Sequence, residues 1–146
     1  MPELKFETGL VTYNLNGKCE VSFNPCDREF VEKFCDAFES LEKVQKEYAD
    51  KAEPMKPGKE LFDLARERDA KMQKIIDELF AAPVCKSVFG SMSVCATADG
   101  FPVWMNMMLS VSDEIAKNVD EIQKKADPRI EKYTEKYKKY EYKYRK

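Results

Sequence analysis

Of the residue types that most often carry catalysis, this chain has carboxylates, lysines and cysteines but no histidine. Histidine is missing from all 146 residues, which removes the usual general base, the commonest zinc ligand and every Ser-His or Cys-His nucleophile pair. Carboxylates are plentiful, and Asp63 with Glu67, Glu32 with Asp36, and Asp77 with Glu78 stand close in sequence. Acid-base or metal chemistry needs carboxylates that converge from several elements. The apolar periodicity puts these on outer helix faces, so they read as solvated charge. The five cysteines (Cys19, Cys26, Cys35, Cys85, Cys95) are odd in number and form no C-x-x-C pair. They read as small buried hydrophobes in a reducing compartment, with a redox or thiol role as the alternative. The five glycines stand singly at turn or cap positions, and none belongs to a phosphate-cradling loop. No catalytic residue, cofactor or metal site is expected. A small enzyme built on carboxylates or a cysteine is the rival that this reading leaves standing.

The elements that would position any site follow from periodicity. Val11, Tyr13 and Leu15 alternate with polar neighbours, and Cys19, Val21 and Phe23 do the same. Asn16-Gly17 between the two runs predicts a β-hairpin, because both residues tolerate positive φ. A lone hairpin is marginal, so its apolar face must lie on helices or the hairpin must pair with other strands. A first helix is predicted from Asn24 as cap and Pro25 as first helical residue to the Pro54–Gly58 linker. Phe30, Phe34, Phe38, Leu41, Val44 and Tyr48 form its inner stripe, with Glu29–Lys33, Glu39–Lys43 and Glu42–Lys46 as outer pairs. A second helix carries Leu61, Leu64, Ala65, Arg68, Met72, Ile75, Ile76 and Leu79 inward. Arg68 within that stripe must snorkel or pair with an acid on a neighbouring helix. A break at Pro83 precedes a short helix ending at Gly90. Met92 to Ala98 reads as helix rather than strand, Asp99-Gly100 as a turn, and Pro102 as a first-turn residue of a third long helix that stops at Asp127-Pro128.

That third helix is apolar nearly all round in its first two turns, from Val103 to Leu109. Such a helix is covered by the core, by a partner, or by one on each side. Trp104, Met105 and Met108 are therefore candidate partner-binding residues as well as core candidates.

The C-terminal end is a different kind of sequence. From Pro128 onward eight Lys/Arg against three Glu give +5; the net charge of −2 then leaves −7 for residues 1–127. Ile130, Tyr133, Tyr137, Tyr140 and Tyr144 fall at steps of three, four, three and four, which predicts an amphipathic helix with an aromatic seam. Three readings compete for this end. It is a solvated helical end, a helix docking on another subunit or partner through Tyr133, Tyr137 and Tyr140, or a single-strand nucleic-acid binder that stacks bases on Tyr. The acidic body argues against nucleic-acid binding by the whole domain. No run reaches the roughly 18 apolar residues that span a bilayer, and the first residues lack an apolar signal core, so a cytoplasmic location without membrane contact is expected.

Three stretches carry a resemblance: "FETGLVTYNLNGKCEVSFNPCDREFVEKF", "ELFDLARERDAKM" and "IIDELFAAPVCKSVFGSMSVCATADGFPVWMNMMLSVSDEI". They resemble a family of tail assembly chaperones encoded in tail-gene clusters of siphophages and prophages of Gram-positive gut bacteria. The resemblance covers Phe6 to about Tyr137, and its most distinctive parts are Val21 to Phe34 and Ala82 to Trp104. It implies a non-enzymatic, mostly helical protein of the host cytoplasm. Such proteins coat the tape measure protein and keep its hydrophobic helices soluble while tail-tube subunits polymerise around it. The resemblance further implies that the charged C-terminal segment lies where a frameshift would separate a short product from a longer one.

The expectation is an α+β protein dominated by helices. Residues 1–127 form a hairpin packed on three long helices and one short helix, and residues 128–146 form a basic tail helix. The expected activity is binding to a protein partner, the tape measure or another tail protein, with homo-oligomerisation open. The rival is a nucleic-acid-associated regulator or adaptor that uses the tail.

Overall fold

Two antiparallel strands, β1 (Val11–Leu15) and β2 (Cys19–Phe23), pair in the register that the alternation predicts, with Tyr13 opposite Val21 and Leu15 opposite Cys19. The turn between them puts Asn16 at φ 54° and Gly17 at φ 71°, and the Lys18 amide closes onto the Leu15 carbonyl at 3.0 Å. This computed structural model describes residues 1–118 together with Pro128, Arg129 and Lys132. Four helices follow the hairpin among the described residues: α1 (Arg28–Ala52), α2 (Lys59–Phe80), the short α3 (Val84–Phe89) and α4 (Val103–Asn118). A second, two-residue-per-strand hairpin, β3 (Thr97–Ala98) and β4 (Phe101–Pro102), precedes α4. The molecule is α+β and mainly helical.

The hairpin face rests on the helices through rings. Phe23 stacks on Tyr13 at 4.5 Å and on Phe30 at 4.3 Å, and Phe80 meets both Phe23 and Phe30 at a tilt. Phenylalanines from β2, α1 and α2 thus meet in one cluster. Deeper, Phe38 lies edge-on to Phe34 at 6.0 Å and to the Trp104 indole at 5.7 Å. Phe34, Phe38, Leu41, Met72, Ile76, Trp104, Met108 and Ile115 are completely inaccessible to solvent, so α1, α2 and α4 share one core.

Four local expectations need correction. The N-cap of α1 is Asp27, whose carboxylate accepts from the Glu29 amide at 3.0 Å, and not Asn24. Asn24 instead folds the preceding turn: its Oδ1 accepts from the Cys26 amide and its carbonyl from the Asp27 amide. Both are good capping residues, and the one that sits where the helical amides begin wins. The run Met92 to Ala98 is not helical; it is a turn that ends in β3. Pro102 is the last residue of β4, paired with Thr97, and the helix starts one residue later. Asp99 at φ 55° and Gly100 at φ 86° make the tight turn between β3 and β4. Finally, Arg68 pairs with its sequence neighbour Asp69, through Nε at 3.1 Å and Nη2 at 3.0 Å, rather than with an acid on another helix.

At the starts of α3 and α4, a carboxylate on α2 and loop carbonyls take up helix amides that no N-cap side chain meets. The first amides of α4 are taken by loop carbonyls: Val103 donates to Ala96 at 2.8 Å and Trp104 to Val94 at 3.0 Å. At the α2–α3 corner Ala81 sits in the left-handed region at φ 52°, and the Ala82 amide reaches back to the Asp77 carbonyl. The Asp77 carboxylate then accepts from the Cys85 amide at 3.0 Å. It satisfies one of the orphan donors at the start of α3. On the outer face of α1 the Glu29–Lys33 pair forms at 3.9 Å, Lys46 pairs with Asp50, and Glu39 is met by Arg129.

Candidate functional site

The residues flagged for chemistry separate once placed. Asp63 pairs with Arg66, Glu32 with Arg28, Asp36 with Arg129 and Glu78 with Lys74. Asp77 holds the α3 amide and is half-buried, so for this residue a structural role replaces the solvated one. Among the described residues no three Cys, Asp or Glu side chains gather as metal ligands. No helix among them is long and apolar enough to cross a membrane.

The cysteines divide by depth. Cys35 and Cys85 are buried, and Cys19 and Cys95 are half-buried. Cys26 corrects the expectation of burial: it is exposed in the turn before α1, with its thiol 2.9 Å from the Asn118 carbonyl. Burial pushes the Cys85 thiol up to about 12, and the Asp77 carboxylate pushes the same way. Burial likewise raises Cys95 to about 11, against the pull of the Arg68 guanidinium. A raised pKa keeps a thiol protonated at neutral pH and opposes nucleophilic use. The Cys95 thiol instead faces the Gln45 Oε1 at 3.8 Å and the Met72 sulfur at 3.6 Å.

The expected partner residues of α4 are core. Trp104 and Met108 have no exposed surface, and Met105 retains 8%. The Trp104 Nε1 donates to Gln45 Oε1 on α1 at 2.7 Å. Partner contact through Trp104, Met105 or Met108 is therefore corrected: α1, α2 and the hairpin supply the cover that the all-round apolar helix requires. Tyr133, Tyr137 and Tyr140 lie outside the described residues, as does the course of the predicted tail helix.

The exposed apolar surface is elsewhere, at the beginning of the chain. Every one of residues 1–10 is exposed, and Leu4, Phe6 and Leu10 are 88%, 81% and 60% accessible. Val11, at the start of β1, is exposed too. The segment leaves the body at a fixed joint. Asn24 Nδ2 donates to the Thr8 carbonyl at 2.9 Å, and Gly9 sits at φ +76° directly against it. A Cβ at Gly9 would stand 2.6 Å from Asn24 Nδ2, so the backbone conformation favours glycine and any side chain would push the Asn24 amide off its tie. Beside this joint is an open groove of about 560 Å³ lined by Leu10, Phe23, Phe30 and Leu79, with Glu29 and Lys33 among its polar residues. The adjoining strand β1 pairs with β2 on one side, and its other edge carries no strand among the described residues. An open edge with exposed apolar side chains nearby is a surface suited to strand addition by another chain.

A second cleft of about 320 Å³ lies between Leu15, Val88, Phe89, Val103 and Met107. Asn106 donates to the Ala98 carbonyl at its edge, and its buried Oδ1 has no hydrogen-bond partner among the described residues. Sequence reading had a signal for the first surface and none for the second. Leu4, Phe6 and Thr8 alternate with Lys5 and Glu7, which is the pattern of a strand one face of which is apolar. Asn106 stands in a run of apolar residues with nothing to mark its carbonyl oxygen as unpartnered.

Comparison of the chain with family models, curated proteins and solved structures finds no match.

Proposed function

We propose that this protein acts by binding another protein, as a non-enzymatic phage or prophage tail morphogenesis factor of the tail-assembly-chaperone kind, with the tape measure protein as partner. The observation that carries the binding part is the exposed N-terminal segment. Leu4, Phe6 and Leu10 present apolar side chains to solvent beside the open edge of β1 and the groove over Phe23 and Phe30. Burying such side chains against a partner gains about 1.5–3 kcal/mol apiece before ordering costs are subtracted. The phage part rests on the sequence resemblance that runs from Phe6 to about Tyr137. A chaperone for long apolar helices needs an exposed apolar surface of its own, anchored to a folded body so that ordering it costs little. The Asn24–Thr8 tie and Gly9 supply such an anchor.

The test is co-expression with a siphophage tape measure protein, followed by affinity capture of the full chain. Soluble co-capture is expected, and the Leu4→Ser/Phe6→Ser/Leu10→Ser variant loses it while its circular dichroism stays that of the parent. Equal capture by parent and variant removes the N-terminal segment from the reading. No capture by either removes the tape measure protein as the partner.

A further inference from the structure

Arg129 and the outer face of α1 are far apart in sequence and joined in space. The Arg129 Nη1 stands 2.8 Å from Asp36 Oδ1 and 3.2 Å from Glu39 Oε1, across 93 residues of sequence in the first case. Three-quarters of the Arg129 side chain is shielded from solvent, although its two partners are on an exposed helix face. Next to it the Lys132 amide donates to the Pro128 carbonyl at 3.0 Å, the i to i+4 spacing of a helix.

The face that Arg129 meets is an acidic row. Glu29, Glu32, Asp36 and Glu39 follow one another at steps of three, four and three, so they share one side of α1. The segment that begins at Arg129 is the most basic part of the chain, with eight Lys/Arg against three Glu. Seventeen residues follow Arg129, which as a helix would reach about 26 Å. That length runs from Asp36 past either end of the acidic row. Residues 1–127, at −7 with the acidic row included, offer the counter-charge that the segment needs.

We infer that the outer face of α1 is a docking surface for a basic helical segment, and that its occupant is this chain's own C-terminal segment from Arg129 onward. Arg129 is the first contact of that association and sets where the segment starts on α1. The lysines after it add charge attraction that salt screens within about 10 Å at 0.1 M. A consequence for the basic end is that its cations are directed to carboxylates of the same molecule, which competes with binding to phosphate.

Zero-length carbodiimide coupling on the full chain tests this, because it joins a lysine to a carboxylate only in direct contact. An equal mixture of unlabelled and nitrogen-15-labelled protein separates links within one chain from links between two. The expected result is intrachain links from lysines 132–146 to Glu29, Glu32 or Glu42. These links fall severalfold in the Asp36→Asn/Glu39→Gln variant, which leaves those three acceptors in place, and fall again in about 1 M salt, where screening reaches about 3 Å. Both substituted residues are solvent-facing, so unchanged thermal unfolding of the variant shows that the body is intact. Absence of such links overturns the proposal. So do links that persist undiminished in the variant, and links found only between chains, which would assign the surface to a second copy.

Discussion

The apolar side chains at the start of α4 and those at the start of the chain are alike in type and opposite in placement. Trp104, Met105, Met107 and Met108 are buried by the molecule itself, whereas Leu4, Phe6, Leu10 and Val11 face solvent. The difference lies in what surrounds each. Trp104, Met105, Met107 and Met108 lie in one core with residues of the hairpin, α1, α2 and α3, while Ser110, Lys117 and Asn118 of the same helix stay exposed. Among the described residues, the segment 1–10 is tied to the body by Asn24 and is exposed along its whole length. Apolar character alone therefore does not mark a contact surface; the informative case is apolar surface left over once the core is complete.

That contrast makes graded predictions. Trp104→Ala should be the most damaging change, at about 3–5 kcal/mol, since it empties the space against Phe38. A loss below about 1 kcal/mol in urea unfolding would mean that α4 is not held as described. Gln45→Leu leaves the indole N–H buried without its acceptor and should cost about 1–3 kcal/mol, read by the same titration.

Tyr13 is a junction between the two regions. Its hydroxyl donates to Glu114 on α4 at 3.3 Å, and partial burial, then the Glu114 carboxylate, raises its pKa above 10.0. The folded state thus holds the phenol proton more tightly than the unfolded chain does. The associated stability is fully present below pH 10 and is lost as pH rises through the folded value. Tyr13→Phe should cost about 1 kcal/mol near neutrality and flatten the alkaline fall in melting temperature. A parallel fall in parent and variant would exclude Tyr13 as its source. At the far end of the scale, Leu4→Ser/Phe6→Ser should change stability by no more than about 0.5 kcal/mol. A larger loss would show that the segment packs on the body, and the contrast with α4 would fail.

The hairpin, the inner stripe of α1 and the short α3 were legible because period-2 and period-3.6 patterns and the Asn16-Gly17 turn are local signals. The cap of α1 was misplaced by three residues because Asn24 and Asp27 are equally suited to capping, and sequence does not say where the first free amide lies. Pro102 was misread for a similar reason, since proline serves a strand end and a helix start alike. The roles of Asp77 and Gln45 depend on partners eight and 59 residues away, and no local pattern encodes such a meeting. The partner residues on α4 were misassigned because an all-round apolar helix has the same sequence whether its own fold or another chain covers it. Gly9 was legible as a turn, but the close approach of the Asn24 amide to it was not.

The indole of Trp104 is the only one in the chain and lies at the centre of the core, with its N–H held by Gln45. Its fluorescence is consequently a reporter of one place. Emission should be that of a dry, hydrogen-bonded ring and should shift to the red only when α1 and α4 part. Events at residues 1–10 happen outside its view, so a partner that captures Leu4 and Phe6 leaves the spectrum still, and a partner that pries the helices apart does not.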